Sequence, residues 1–328
     1  MERGVSLAPL TTFGIGGKAK FFVRVKILDE LRESLDYARD QHQRMLILGG
    51  GSNVLISDEG FDGLVIKIEL SGVEQQGEMV VAAAGEQWDG LVAGTIEAEL
   101  WGLENLSGIP GSVGGAVVQN IGAYGQALSE VVQWVEVFDT ESGKLKTLQK
   151  NECVFEYRDS FFKHHPELVV VRAAFELSSV PQPILTYKDV ATRLGNTASL
   201  AEIRKAIIAI RKDKFPDLAV EGTAGSFFKN PIVSAKEATR LKDRYPEMPL
   251  FVMPETQGVK VPIAWLLDKK LKLNGFSLGS VRLFERQPLV IAANRGARAS
   301  EVRALAEKIK KEVQENFGII LAEEVKMV

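Results

Sequence analysis

The sequence predicts an α+β protein built from two or three domains. At 328 residues the chain is longer than one ordinary hydrophobic core supports. Short strand patterns separated by turn signals dominate residues 69–200, whereas helical periodicity alternates with strands on either side of that region. Hydrophobic residues make up 45% of the chain and charged residues 25%, which is typical of globular proteins.

Charge and cysteine content exclude several classes of protein. The net charge is −3 and neither sign forms a long block, which argues against a nucleic-acid-binding surface. The single Cys153 excludes an intramolecular disulfide and a thiolate metal cluster. No run approaches the ~20 apolar residues of a membrane span, and no apolar leader is apparent. We therefore expect a cytoplasmic monomer without a metal site, in which His164 and His165 are solvated.

Residues 1–68 indicate a small α/β unit. Residues 21–25 have the pattern of a strand, and a helix with apolar residues at helical spacing follows over 28–38. The apolar run 45–48 then ends in Gly-Gly-Gly-Ser-Asn, the order expected of a phosphate-binding turn, although a plain turn fits as well. The turn is not a P-loop, because no Gly-Lys-Ser/Thr follows, and the chain contains no Gly-x-Gly-x-x-Gly.

Residues 102–125 are the stretch around which the rest of the chain is organised. Seven glycines fall in it, together with Pro110, and Glu104 is its only charged residue. Glycines cost chain entropy and are favoured where the backbone turns tightly or approaches a ligand. The composition predicts a main-chain cradle for a cofactor, and a set of tight turns in an irregular β domain is the alternative.

The other elements follow from periodicity and capping signals. A helix is expected over 88–95, and strands over 79–83, 131–138, 145–148 and 168–177. Ser-x-x-Glu capping boxes at 199–202 and 234–237 open two further helices, and Pro262 fits the first turn of another. The last helix, with its apolar face over 302–313, closes at Gly318. Alternation over 319–328 predicts a terminal strand whose two glutamates point to opposite faces.

Two cationic stretches have two interpretations each. Arg158 lies among aromatic residues, where it is either an ion-paired structural residue or a fixed cation for an anionic intermediate. Arg211, Lys212 and Lys214 lie at a helix end, where they either complement the helix dipole or bind phosphate or carboxylate.

One hydroxyl group and one carboxyl group are the remaining candidates for a catalytic role. A turn of small residues places Ser226 ahead of two phenylalanines, which suggests a strained hydroxyl accessible to water. Ser226 lacks the Gly-x-Ser-x-Gly elbow and a nearby histidine, so it suits a proton donor beside Lys229 better than a hydrolase nucleophile. Glu323 or Glu324 is either a buried acid or a solvated terminal residue.

Taken together, these stretches resemble the UDP-N-acetylenolpyruvoylglucosamine reductase family, type I branch. The matching segments are residues 10–17 (Leu-Thr-Thr-Phe-Gly-Ile-Gly-Gly), 48–55, 102–125, 157–163, 225–231 and the tail at Glu324. They occur in the family's order over nearly the whole chain. Each segment alone is a weak signal, and the set is specific.

The resemblance implies an FAD-binding fold of the vanillyl-alcohol-oxidase type, made of two α+β subdomains, followed by a C-terminal α/β substrate-binding domain. The subdomains would be 1–68, joined by the tail at about 320–328, and 69–212, with the substrate-binding domain over 213–319. Non-covalent FAD is the implied cofactor. NADPH would reduce it, leave, and be replaced by UDP-N-acetylglucosamine enolpyruvate.

The resemblance also implies roles for individual residues. The implied FAD contacts are Gly49, Gly50, Gly51, Ser52, Asn53, Val54, Ile109, Pro110, Gly111, Ser112, Gly114, Gly115, Ala116, Gln119, Asn120, Ile121 and Gly122. The implied substrate contacts are Tyr124, Tyr187, Arg211, Lys214 and Asn230. Flavin would give hydride to C3 of the enolpyruvyl group. Arg158 and Glu324 would stabilise the charge at the substrate carboxylate, and Ser226 would protonate C2.

The chain departs from the family pattern at three places. Phe251 stands where the type I branch has a second substrate-loop tyrosine, Lys326 replaces an arginine, and Gly115-Ala116 stands where some members have two serines. Each departure weakens a contact and leaves the reaction class intact. A flavin-dependent oxidase or a nucleotide-binding regulatory protein are the alternatives. The first is disfavoured because no histidine lies near either glycine stretch to tether FAD.

Overall fold

A computed structural model describes residues 1–195, 197–253 and 258–328. The chain divides into two compact units. Unit 1 comprises Met1–Ser6, Lys18–Ser52 and Gly60–Asp213, and unit 2 comprises Leu7–Gly17, Asn53–Glu59 and Lys214–Val328. The division into two subdomains and a substrate-binding domain stays a prediction.

The strands are numbered in chain order. They are β1 (Glu2–Ser6), β2 (Lys18–Val25), β3 (Met45–Leu48), β4 (Val54–Leu55), β5 (Phe61–Ile68), β6 (Val73–Gln76), β7 (Met79–Ala83), β8 (Gly122–Ala123), β9 (Gln126–Ala127), β10 (Val132–Asp139), β11 (Lys144–Gln149), β12 (Leu168–Glu176), β13 (Ile232–Val233), β14 (Phe251–Met253), β15 (Gly258–Lys260), β16 (Ser277–Leu278), β17 (Val281–Phe284), β18 (Gln287–Ala293) and β19 (Lys326–Met327).

The α-helices are numbered in the same way. They are α1 (Leu28–Asp40), α2 (Trp88–Glu97), α3 (Val113–Gln119), α4 (Phe161–His164), α5 (Lys188–Leu194), α6 (Leu200–Lys214), α7 (Ala235–Arg244), α8 (Ile263–Trp265) and α9 (Ala299–Phe317). A π-helical turn, Leu266–Lys270, continues α8 directly.

Unit 1 contains two main sheets. In the first, of order β1-β2-β5-β3, β5 pairs in parallel with both β2 and β3, and α1 packs on β2 and β5 through Leu31, Leu35 and Ala38. The second, of order β11-β10-β12-β7-β6, is antiparallel throughout, and α3 packs on β12 and β7. The predicted strands and helices of this region are confirmed, whereas β1 had no clear sequence signal.

The helix caps agree with the sequence in both units. Ser199 and Glu202 exchange the hydrogen bonds of a capping box before α6. Ser234 and Glu237 do the same before α7, and Gly318, with φ of 71°, closes α9 in the left-handed conformation. Pro262 is the residue before α8 rather than within its first turn, and the expected helix continues as the π-helical turn.

Unit 2 is built on two small three-stranded sheets, β16-β17-β18 and β13-β15-β14. Helix α9 packs on β16 and β17 and buries Val302, Leu305, Ile309 and Val313. The long terminal strand predicted over 319–328 is wrong, because only Lys326–Met327 forms a strand, in parallel with β4. The preceding tail residues pair instead with a different segment, 227–229, so the chain changes partner along its length.

Candidate functional site

The first glycine turn, residues 49–52, leaves the carboxyl end of β3. Leu48 lies opposite Lys67 in the parallel pair of β3 and β5, and the Lys67 ammonium donates a hydrogen bond to the Gly49 carbonyl. Gly51 has φ of 67°, which favours glycine. In the described ranges, the backbone amides of Gly51 and Ser52 donate no hydrogen bond to the chain. These N–H groups are donors of the kind that bind phosphate oxygens.

This turn packs against the main chain of residues 109–112. A Cβ added at Gly50 would lie 2.4 Å from Gly111 Cα, and one at Gly111 would lie 2.6 Å from Ser52 Oγ. The Gly50 amide donates to Ser112 Oγ at 3.2 Å. The two glycine stretches that the sequence predicts as cradles therefore lie side by side in unit 1, and glycine permits the close approach of their backbones.

Helix α3 lies within the second glycine stretch and was not predicted from the sequence. Ser112 caps it by accepting from the Gly115 amide at 3.4 Å. The amides of Val113 and Gly114 donate to the Glu86 and Ala84 carbonyls, both at 2.9 Å. The first amides of this helix are thus satisfied by the protein, so the available donors lie in the turn at 51–52 and not at the start of α3.

The implied FAD contacts differ in exposure. The buried contacts are Gly51, Ser112, Gly114, Ala116, Gln119 and Asn120, and the exposed contacts are Pro110 and Gly115. The others are half-buried: Gly49, Gly50, Ser52, Asn53, Val54, Ile109, Gly111, Ile121 and Gly122. The Asn120 side chain is occupied within the protein: it donates to the Glu156 carbonyl at 2.8 Å and accepts from the Ser129 amide at 3.1 Å. Asn120 therefore links the end of α3 to the turn that carries Arg158.

Arg158 occupies a tight turn whose geometry fixes its direction. Glu156 and Asp159 exchange backbone hydrogen bonds at 3.0 and 3.1 Å, and Arg158 has φ of 55°, which is uncommon for a side chain of this size. Lys163 Nζ donates to the Arg158 carbonyl at 2.7 Å, and the half-buried Arg158 guanidinium donates to the Gly122 carbonyl. The Arg158 guanidinium is thus held by a backbone carbonyl of the second glycine stretch.

Three of the five implied substrate contacts come together in unit 1. The rings of Tyr124 and Tyr187 meet edge to face at 5.3 Å. Arg211 donates from Nε to the Gly108 carbonyl at 2.9 Å, and its guanidinium is hydrogen-bonded to Tyr124. Burial lowers the pKa of Arg211, and Tyr124 and Asp89 oppose that shift. Lys214 is the last residue of the same helix, α6.

Ser226 and Glu324 lie on neighbouring extended segments of unit 2. Ser226 is half-buried and pairs with Val290 of β18, and the left-handed backbone falls on Gly225, with φ of 78°, rather than on the serine. The Glu324 amide donates to the Phe227 carbonyl at 2.8 Å, and Asn53 Nδ2 donates to the Glu324 carbonyl at 3.1 Å. Main-chain bonds therefore place the half-buried Glu324 next to the serine segment.

The remaining candidates of unit 2 have clear contacts. Glu323 forms an ion pair with Lys310 of α9 at 2.5 Å, which gives it a structural partner. Asn230 Oδ1 accepts from the Ile263 amide at 3.0 Å. Phe251 is half exposed on β14, with Lys260 Nζ 5.7 Å from its ring centroid, and Lys326 is exposed on β19.

Sequence reasoning missed two residues of this region. Asn105, fully buried, donates to the carbonyls of Tyr124 and Ile184, each at 2.8 Å, and so holds the Tyr124 backbone in place. Its type and spacing carry no signal. Lys67 does carry one, because it is the one charged residue of the run Leu64 to Ile68 in β5.

Other kinds of site find no support in the part of the chain that the structure describes. No group of three His, Cys, Asp or Glu side chains is placed to hold a metal ion. No helix among those residues is long and apolar enough to cross a membrane. His164 and His165 contact Asp159 and Glu167. Burial raises the pKa of Cys153 to about 12, so its thiol is unreactive.

Comparison with known proteins identifies both parts of the chain. Residues 19–149 match the family model described as FAD binding domain, and residues 217–328 match that of the UDP-N-acetylenolpyruvoylglucosamine reductase C-terminal domain. The α+β fold class, with an FAD-binding domain and a separate C-terminal domain, is thereby confirmed. The Gly51 and Ser52 amides, which donate to no other group in the described ranges, and the short packing distances of the turn fit a cofactor that contains a diphosphate.

Relatives match the chain over nearly their full length. The chain is 38% identical to the UDP-N-acetylenolpyruvoylglucosamine reductase of Neisseria gonorrhoeae, covering 96% of this chain and 94% of that one. It is 38% identical to that of Pseudomonas aeruginosa, covering 99% and 98%. The crystal structure of the Thermus caldophilus enzyme superimposes with a TM-score of 0.71 at 26% identity, over 98% and 97% of the two chains. The chain belongs to the UDP-N-acetylenolpyruvoylglucosamine reductase family, a family of FAD-containing oxidoreductases.

Proposed function

We propose that this protein reduces UDP-N-acetylglucosamine enolpyruvate to UDP-N-acetylmuramate with NADPH, a step of peptidoglycan precursor synthesis. The names of relatives that match nearly the whole chain support this reaction. The observation that carries the cofactor assignment is the pair of glycine stretches packed side by side, with unengaged amides at Gly51 and Ser52. We also propose a cytoplasmic location, in keeping with the single cysteine, and a monomer.

The residues of the two glycine stretches hold FAD without a covalent link. Gly51 and Ser52 provide N–H donors for the diphosphate, and residues 109–122 line the flavin. The bound FAD would supply the hydride chemistry, from NADPH to C3 of the enolpyruvyl group. Asn120 stabilises this region, because its side chain hydrogen-bonds the end of α3 to the turn that carries Arg158.

The charged side chains act on the other end of the enolpyruvyl group. Addition of hydride to C3 leaves negative charge at C2, which spreads into the carboxylate. Arg158 stabilises that charge, and its direction is preset by the turn and by the Gly122 carbonyl. Glu324 contacts the same carboxylate, and the Ser226 hydroxyl gives its proton to C2.

The remaining candidates bind the UDP-sugar. Tyr124, Tyr187 and Arg211 form one contact group, and Arg211 retains its charge despite burial because arginine is strongly basic. Lys214 and Asn230 bind the UDP diphosphate. Phe251 offers no hydroxyl, so a contact there is restricted to its ring.

A visible absorption spectrum tests the proposal. Purified protein should show flavin bands that bleach when NADPH is added without oxygen, and that return on addition of UDP-N-acetylglucosamine enolpyruvate. A colourless protein that FAD cannot reconstitute would contradict the cofactor assignment. Flavin that is reoxidised only by oxygen would indicate an oxidase instead.

The role of Glu324 has a separate test. Glu324→Gln keeps the shape of the side chain and removes the carboxyl group. We expect it to slow the return of the flavin bands with UDP-N-acetylglucosamine enolpyruvate and to leave their bleaching by NADPH at the native rate. Native rates in both half-reactions would rule out this role.

A further inference from the structure

Lys67 stands out on β5 because it is the one charged side chain of an otherwise apolar run, Leu64 to Ile68. It lies opposite Leu48, the last residue before the glycine turn. Its half-buried side chain directs Nζ to the Gly49 carbonyl, the first carbonyl of that turn. A cation is therefore built into the base of the predicted diphosphate-binding turn.

No carboxylate forms a close ion pair with Lys67 in the described ranges. Glu69 acts on Lys67 only from a longer distance, and its carboxylate is already hydrogen-bonded to Arg24. Burial lowers the pKa of Lys67; the negative Glu69 opposes that shift, and the positive Arg24 adds to it. A partly buried ammonium without a carboxylate partner is costly for the free energy of folding. The burial of such a charge is explained if an anion binds next to it in the functional state.

Two backbone amides of the glycine turn complement the positive charge of Lys67. Gly51 and Ser52, in the turn whose first carbonyl Lys67 holds, donate no hydrogen bond to the chain in the described ranges. Cation and amide donors together form a typical site for phosphate oxygens. We infer that Lys67 is a binding residue for the FAD diphosphate: it supplies the counter-charge and fixes the Gly49 carbonyl away from the anion. The identity of that anion rests on the proposed function.

Lys67→Met tests this inference because methionine keeps the length of the side chain and removes the charge. Apoprotein prepared by removal of flavin is titrated with FAD, and the quenching of flavin fluorescence gives the Kd. We expect FAD affinity to fall by about tenfold or more. Since an uncompensated buried charge is removed, the Tm of the apoprotein should stay the same or rise.

Two matched variants separate charge from structure. Lys67→Arg keeps the cation and should retain FAD affinity within about threefold. Lys20→Met removes a lysine from β2 of the same sheet, where Nζ pairs with Asp62 at 2.9 Å on the surface. That variant should leave FAD affinity unchanged.

Two results would overturn the inference. One is an unchanged FAD affinity in Lys67→Met. The other is a fall in apoprotein Tm or a failure to fold, which would make Lys67 a structural residue. Native protein that does not bind FAD would instead overturn the proposed function, because Lys67 variants are interpretable only against a native protein that binds FAD.

Discussion

The glycine turns of unit 1 and the Ser226 segment of unit 2 present their functional groups in opposite ways. In unit 1, backbone packs on backbone at distances that exclude a Cβ, and the available donors are main-chain amides. In unit 2, main-chain hydrogen bonds hold extended segments together, and the candidate groups are the side chains of Ser226 and Glu324. A Cβ added at Gly50 or Gly111 would disturb the backbone packing of unit 1, whereas a side chain of unit 2 can lose its function while the fold is kept.

The largest expected effect is on the rate, in unit 2. Ser226→Ala should lower kcat by roughly 10²–10⁴-fold, because a positioned proton donor is lost. Flavin content and Tm should be native, since Ser226 is only half-buried and its backbone is extended. Steady-state kinetics and flavin absorbance measure both quantities.

A second serine of unit 2 provides the control. Ser234 caps α7 by accepting from the Glu237 amide at 3.3 Å. Ser234→Ala should cost about 0.5–2 kcal/mol of stability and leave kcat within about twofold. If Ser226→Ala behaved like Ser234→Ala, Ser226 would be a structural residue.

The next effect concerns the backbone of unit 1. Gly50→Ala places a Cβ 2.4 Å from Gly111 Cα, so one of the two glycine stretches must move. We expect a loss of about 1–3 kcal/mol in the free energy of unfolding and loss of bound FAD. Thermal unfolding and the flavin-to-protein absorbance ratio measure these changes.

Gly94→Ala is the matched substitution. Gly94 lies in α2 and an added Cβ there meets nothing within 4 Å, so alanine should stabilise the helix by up to about 1 kcal/mol. Equal FAD content in the two alanine variants would show that the packing at Gly50 is unimportant for the cofactor.

The smallest effect is electrostatic and lies in unit 2. Asp58 accepts from the Ala299 and Ser300 amides at 2.7 and 3.1 Å at the start of α9. Burial raises the pKa of Asp58, but these hydrogen bonds and Arg298 more than offset it, so the pKa is lowered overall. The resulting stability is present above the unfolded-state pKa of about 4 and is lost as pH falls further.

Asp58→Asn should therefore destabilise the protein by about 1 kcal/mol at pH 7. The difference from the native protein should shrink as pH falls further below about 4, because the native carboxylate is progressively protonated. Urea unfolding at pH 7 and at several pH values below 4 measures this. A difference independent of pH would assign the effect to packing rather than to charge.

The sequence predicted those parts of the fold that rest on local chemistry. The capping boxes at Ser199 and Ser234 and the closure of α9 at Gly318 follow from short-range hydrogen bonds and backbone preference, and all three are present. The order of a strand followed by glycines over 45–51 is also a local signal, and β3 is indeed followed directly by the glycine turn.

Features that depend on distant partners could not be predicted. Helix α3 contains two adjacent glycines and exists because its first amides bind Ala84 and Glu86. The tail alternates like a strand, yet its hydrogen-bond partners change from Lys229 and Phe227 to Leu55. Asn105 contacts carbonyls that lie far along the chain, so its residue type and spacing do not reveal its role. Lys67 stands out in its apolar run, but its contact with the Gly49 carbonyl depends on the pairing of β3 with β5.

The most direct measurement follows the two half-reactions separately in Ser226→Ala by rapid mixing without oxygen. NADPH should bleach the flavin at the native rate, because the backbone site of unit 1 is unchanged. Return of the flavin bands with UDP-N-acetylglucosamine enolpyruvate should be slower by roughly 10²-fold or more, because the proton donor is missing. Native rates in both half-reactions, or equal slowing of both, would contradict the assignment of proton transfer to Ser226. Either result would also contradict the separation of cofactor binding in unit 1 from proton transfer in unit 2.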